Sequence, residues 1–174
     1  MSFPPPQLHK LAERLVHILR QRNETVSIVE TATGGLVSST ILSLPGTSAV
    51  FAGGVAAYQL AVRKEWLGWT DADTKDYSGP SEQIVLGLAQ SCRSQLKSTY
   101  CIAESAVAGP GRPNDVYRPE IGIGYCPLAV VGEGLEVVKT VEVEQPKSRP
   151  ENMVAFAEAM FEMLIEVVEK QPLK

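Results

Sequence analysis

Apolar residues recur at helical spacing through Leu8, Leu11, Leu15, Ile18 and Leu19, which predicts an amphipathic helix ending near Asn23. A short apolar strand follows over residues 25–29, then a turn of threonines and glycines, then a helix over residues 35–44 that stops at Pro45 and Gly46. Residues 50–58 read as a buried strand, and Gly53 and Gly54 within it predict a close backbone approach. A short helix over residues 62–67 leads into the polar loop "GWTDADTKDYSG". Ser81, Glu82 and Gln83 then open a longer helix reaching Leu96. Three more strands are predicted over residues 100–107, 120–131 and 135–143, with the loop "AGPGRPNDVYRP" between the first two. Ser148 and Glu151 form a capping-box signal for a closing helix whose apolar face carries Met153, Phe156, Ala157, Met160, Phe161, Leu164, Ile165 and Val168.

Strands separated by helices over the first two thirds, with a meander at the end, imply an α/β fold. The expected architecture is a three-layer α/β/α sandwich with a mixed, mostly parallel sheet. Neither a repeat nor a linker interrupts the pattern, so residues 1–174 are expected to form one domain behind a flexible lead over residues 1–7.

Composition narrows the partners. A chain of 174 residues that is 44% hydrophobic and 21% charged is long enough to bury a substantial core. Its formal net charge of -4 argues against recruitment by nucleic acid or an anionic membrane surface. Cys92, Cys101 and Cys126 are odd in number and lack metal-binding spacing, so they are expected to be reduced core thiols. The opening "MSFPPPQLHK" has no secretory pattern and no apolar run reaches membrane-spanning length, so a cytoplasmic address is expected.

The turn in "VSIVETATGGLVSSTIL" is the first candidate site, and it has two readings. In the structural one, Thr33 caps the helix while Gly34 and Gly35 let the backbone swing from strand to helix. In the functional one, backbone N–H groups at a helix start behind a glycine turn face an anion or a developing oxyanion. The only histidines, His9 and His17, lie on the first helix, which removes a zinc site and a histidine-based nucleophile pair from consideration. Neither the P-loop nor the dinucleotide-binding glycine pattern is present. A hydrolase built from this chain would therefore need a hydroxyl nucleophile activated without histidine.

Three segments in order, "VETATGGLVSSTILSLPGTSAVFAGGVAAYQLAVRKEWLG", "GPSEQIVLGLA" and "SAVAGPGRP…IGIGY", resemble the C-terminal domain of the CinA (competence/damage-inducible protein) family. That family includes nicotinamide mononucleotide deamidases. Its pattern at the first turn is E-S-C-T-G-G with the serine as nucleophile, and the resemblance places Glu30, Thr31, Ala32, Thr33, Gly34 and Gly35 there. Thr31 keeps the hydroxyl but adds a methyl that restricts χ1 and crowds an attack trajectory. The family's second segment, Y-S/T-N-E-x-K, aligns with Tyr58 through Arg63, so Arg63 takes the place of the lysine that partners the nucleophile and Leu60 replaces the asparagine. A guanidinium has no acceptor atom and stays charged, so Arg63 can hold an anion but cannot take a proton from Thr31. Lys64 is adjacent, yet one residue along a helix it points about 100° away.

The resemblance further implies a ligand-binding loop at Gly109, Pro110 and Gly111, with Arg112 where another glycine is usual. Backbone amides there, with Arg112 or Arg118 nearby, would cradle a phosphate; a plain inter-strand turn with solvated arginines is the alternative. Arg149 matches one family arginine near the last helix, and Met153 occupies the position of a second. The implied catalytic set is Thr31, Arg63 and Tyr58; the implied substrate-binding set is Glu30, Thr33, Gly34, Gly35, Gly109, Pro110, Gly111, Arg112 and Arg149. Neither a metal nor a cofactor is implied. The expected partner is a small molecule, nicotinamide mononucleotide or another phosphate-bearing compound, bound by a homo-oligomer. Three function classes stay open: a ligand-binding relative with weak or lost deamidase activity, an active deamidase with Thr31 as nucleophile, and a scaffold or oligomerisation module.

Overall fold

The computed structural model describes residues 3–111, 117–144 and 148–172. Its first helix, α1, spans Pro6–Arg22, beginning inside the stretch expected as a flexible lead. Proline suits the first turn because its missing N–H has no helical partner to lose. Asn23 closes the helix in the left-handed conformation at φ 51, with its N–H on the Leu19 and Arg20 carbonyls. Strand β1 is Val26–Glu30, helix α2 is Leu36–Leu42, and a short 3-10 turn at Thr47–Ala49 leads to β2 at Phe51–Ala56.

Helix α3 covers Leu60–Leu67. The segment expected as a polar loop carries a further short helix, α4, at Asp71–Lys75, held by a capping box between Thr70 and Asp73. Helix periodicity is invisible there because the five residues bury nothing. Ser81 caps α5, Glu82–Leu96, through its hydroxyl on the Ile84 N–H. Then come β3 at Tyr100–Glu104, β4 at Tyr125–Gly132, β5 at Leu135–Glu142 and α6 at Arg149–Lys170. The expected strand over residues 120–131 starts only at Tyr125: Gly124, at φ 95, turns the chain and donates its N–H to the Val107 carbonyl.

The sheet is mixed, in the order β2-β1-β3-β4-β5. β1 runs parallel to both β2 and β3, while β4 is antiparallel to β3 and to β5. Alternation along the central strands feeds two cores. Val26 and Ile28 of β1, Ile102 of β3 and Leu128 of β4 pack with α1 and α6, where Leu15, Leu19, Phe156 and Phe161 are buried. Val29, Cys101, Ala103 and Ala129 point to the other face and pack under Val85, Leu88 and Cys92 of α5. The result is an α/β/α sandwich with a three-stranded parallel core and an antiparallel edge. No described helix is long and apolar enough to cross a membrane.

Candidate functional site

The parallel strands β1, β2 and β3 all end at the same edge of the sheet, where α/β proteins place their ligands. The chain leaves β1 at Glu30 and enters the turn with Gly34 at φ 63 and Gly35 at φ 99, conformations only glycine adopts freely. The helix start beyond that turn is already occupied by an anion belonging to the chain itself. Glu30 Oε2 accepts the N–H groups of Gly35 and Val37 at 3.0 Å each, and Oε1 accepts the Ser38 N–H at 2.9 Å and its hydroxyl at 2.7 Å. The amides expected to face an oxyanion are therefore engaged at Gly35, Val37 and Ser38. Thr33 is not the helix cap either.

The Thr33 hydroxyl instead donates to Glu104, the last residue of β3. Glu104 is fully buried, and its Oε1 accepts the Thr31 N–H at 2.6 Å, the Thr33 N–H at 2.8 Å and the Thr33 hydroxyl at 2.8 Å. Its other oxygen, Oε2, accepts the Thr31 hydroxyl at 3.1 Å. Burial pushes the Glu104 carboxyl above its ordinary range, against the opposing pull of the Thr31 and Thr33 hydrogen bonds and with a further rise from nearby Glu30.

A cleft of about 320 Å³ opens beside this turn, at the small end of the range usual for ligand pockets, roughly 300–1,000 Å³. Thr31, Tyr58, Leu60, Arg63, Gly109, Gly111 and Arg149 line it, together with Tyr77, Ser105 and Tyr117. Arg63 is only 3% exposed. Its Nε donates to the Ala57 carbonyl and its Nη2 to the Ser105 hydroxyl, both at 3.3 Å, while its guanidinium carbon lies 5.0 Å from the centre of the Trp69 ring and 5.3 Å from that of Tyr77. Its remaining nitrogen, Nη1, is buried with no hydrogen-bond partner among the described residues. Tyr58, 59% exposed, forms the rim: its hydroxyl meets Arg149 Nη2 at 3.4 Å, and Arg149 Nη1 donates to the Gly109 carbonyl at 2.6 Å.

Thr31, Tyr58, Arg63, Gly109, Gly111 and Arg149 thus share one cleft, whereas Glu30, Thr33, Gly34, Gly35 and Pro110 are not among its lining residues. Glu30 and Thr33 build the turn from behind. Arg112 lies outside the described residues. Arg118 lines a neighbouring groove and bonds the Pro80 carbonyl at 2.7 Å. Lys64 is ion-paired with Asp71 and does not line the cleft. Met153, at the position of the second family arginine, reaches towards Gly34: a Cβ added there would meet its Cε at 3.8 Å. Sequence reasoning missed Glu104, Ser105, Trp69, Tyr77 and Tyr117. For Glu104 a signal existed, since an acidic residue closes the otherwise buried strand "YCIAE". The aromatic residues had none, because they come from the polar loop and from beyond the glycine loop.

The model for the CinA C-terminal domain matches residues 8–168. CinA-like proteins from Pseudothermotoga lettingae and from Synechococcus sp. are 29% identical over 138 residues and 35% identical over 128 residues, covering 79% and 73% of this chain. A third, from Prochlorococcus marinus, is 39% identical over 122 residues. The matches take up 33%, 30% and 28% of those relatives, so the chain corresponds to about a third of their length. Among solved structures, the competence/damage inducible protein CihA from Agrobacterium tumefaciens superposes with a TM-score of 0.87 at 24% identity, covering 98% of this chain and 100% of that one. A competence-damaged protein (CinA) superfamily protein from Enterobacter cloacae gives 0.83 at 18% identity, covering 97% and 96%. These two likenesses establish the fold.

Proposed function

Since the chain belongs to the CinA C-terminal domain family, we propose that its cleft binds a small anionic ligand of the nicotinamide-nucleotide class, with Arg63 as the anchor, and that lysine-dependent deamidation is lost. The observation that carries this reading is the unpartnered Nη1 of Arg63. A buried guanidinium is costly unless it is paired, and among the described residues no carboxylate pairs with it. Trp69 and Tyr77, whose ring centroids are 5.9 Å apart, both lie against the guanidinium, which steadies it by cation–π contact without neutralising its charge. A phosphate or carboxylate entering the cleft that Arg63 lines would meet its unneutralised charge, and a small shift of the buried guanidinium would bring Nη1 onto the anion. Arg149 and Tyr58 at the rim supply a second cation and a hydroxyl.

Arg63 cannot serve as the proton acceptor that a lysine would be, because a guanidinium offers no lone pair. Turnover of nicotinamide mononucleotide by the family's serine and lysine route is accordingly absent. Calorimetric titration with nicotinamide mononucleotide and with inorganic phosphate tests the binding. Wild type should bind, and Arg63→Met should lose at least about tenfold in affinity, since a hydrogen bond to a charged group is worth roughly 1.5–3 kcal/mol. Equal affinities in the two proteins would remove Arg63 from the site and with it this reading.

A further inference from the structure

We propose that Glu104 is a general base for Thr31, giving the cleft a nucleophile that needs no lysine. The inference rests on the reading of the cleft as a ligand site and adds to it a reaction class, attack on the carbonyl carbon of a small anionic carboxamide or ester.

The two oxygens of Glu104 have different tasks. Oε1 accepts three donors, two of them backbone N–H groups of the turn, and these pin the carboxylate in place. Among the described residues Oε2 accepts only the Thr31 hydroxyl. The Thr31 proton is directed at Oε2, which leaves the lone pairs of Oγ1 free to act as a nucleophile, and Thr31 itself lines the cleft. A buried, pre-positioned carboxylate in hydrogen-bond contact with the hydroxyl of a cleft-lining residue is the pairing a nucleophile and its base require. Burial strengthens Glu104 as a base by raising the affinity of its carboxylate for a proton. Capping of α2 does not account for Glu104, because Glu30 already performs it.

In the step itself, the Oγ1–H proton passes to Oε2 as Oγ1 bonds to the carbonyl carbon. Collapse of the adduct breaks the C–N bond, and the proton leaves with the amide nitrogen as ammonia. Water then attacks the Thr31 ester, giving one proton to Glu104, and Oγ1 regains that proton when the carboxylic acid is released. The net change is amide plus water to acid plus ammonia.

Labelling with diisopropyl fluorophosphate tests the pair without a known substrate, because Oγ1 displaces fluoride from phosphorus and the adduct stays on the protein. Mass spectrometry should place the label on Thr31, and Thr31→Ser should label faster. Glu104→Gln, whose amide oxygen can keep the three Oε1 contacts, should slow labelling about a hundredfold or more. In wild type the rate should rise with pH through one titration lying above about 4.5. The groups around that carboxyl are Glu30 from β1, the Cys126 thiol from β4 and, reaching the adjacent Ser105, Arg63 from α3; from α6, Arg149 and Asn152 reach the Gly109 and Ala108 carbonyls. The wild-type profile keeps the idea falsifiable even if Glu104→Gln unfolds. No label on Thr31, label on Ser105 instead, or an undiminished rate in folded Glu104→Gln would overturn the assignment. Nicotinamide mononucleotide or phosphate binding without labelling would leave the ligand site standing and remove the base, and Glu104-dependent labelling without either ligand binding would do the reverse.

Discussion

Glu30 and Glu104, the last residues of two neighbouring parallel strands, divide one turn between them. Glu30 takes the N–H groups of Gly35, Val37 and Ser38, and Glu104 takes those of Thr31 and Thr33. Five backbone donors of the turn and the start of α2 are satisfied by two carboxylates that are themselves buried. The turn is therefore rigid before any ligand arrives. Arg63, which lines the cleft, keeps a nitrogen with no partner among the described residues.

Removing the Glu30 side chain should cost stability. Glu30→Ala leaves three backbone donors at the start of α2 and the Ser38 hydroxyl without their acceptor. With about 1–3 kcal/mol for each buried group left unsatisfied and partial rescue by water, the net loss should be about 2–4 kcal/mol. Urea denaturation should show it as a lower midpoint at unchanged slope. A loss under about 0.5 kcal/mol would mean that α2 does not depend on this carboxylate.

Of the paired glycines, Gly54 is the one at which β2 comes close to α2, whereas a Cβ at Gly53 would meet only the Leu96 side chain. A Cβ added at Gly54 would collide with the Ser38 hydroxyl that serves Glu30, and would sit 3.3 Å from the Ile28 carbonyl oxygen. Gly54→Ala should therefore destabilise by about 1–3 kcal/mol. In a Ser38→Ala background the same change should cost less, because the side-chain part of the clash is gone while the carbonyl contact remains. Strict additivity in that cycle would show that the backbone contact alone sets the cost.

Much of this was legible in the chain. Periodicity located α1, α5 and α6 because each has a long apolar stripe, and β1, β3 and β4 because they carry apolar runs. The resemblance brought Thr31, Tyr58, Arg63, Gly109 and Arg149 to one cleft, since family motifs mark strand ends. What it could not convey was which partner each polar group takes. The resemblance implied that Glu30 and Thr33 bind substrate because they fall in the family's first turn, but Glu30 is itself the anion at the start of α2 and Thr33 bonds Glu104. Glu104 stands 73 residues from Thr31 in the sequence, and only the parallel pairing of β1 with β3 reveals their contact.

The pH dependence of stability should carry the signature of Glu104. Its folded pKa is raised, so folding favours the protonated carboxyl. Its contribution is most favourable at low pH and declines as pH rises from its ordinary value near 4.5 through the folded value. Glu104→Gln cannot ionise, so its melting temperature relative to wild type should climb across that window and level off above it. A difference independent of pH, or one that narrows as pH rises, would contradict a raised carboxyl.

Ammonia release distinguishes a carboxylate base from a lost lysine base. If Thr31 works with Glu104, wild type should release ammonia from nicotinamide mononucleotide slowly, because the Thr31 methyl limits χ1 and crowds the approach of the carbonyl. Thr31→Ser alone should then raise the rate by about tenfold or more, since serine keeps the bond to Glu104 Oε2 and relieves the crowding. Adding Glu104→Gln to that variant should remove the gain, because a nucleophile and its base fail together. If instead a lysine is what the cleft lacks, Thr31→Ser should be silent and only Thr31→Ser combined with Arg63→Lys should turn over, whatever residue stands at position 104. The two accounts thus give opposite results for one single variant. A silent Thr31→Ser beside an active Arg63→Lys double would retire Glu104 as the base while leaving Arg63 as the anchor of the wild-type cleft.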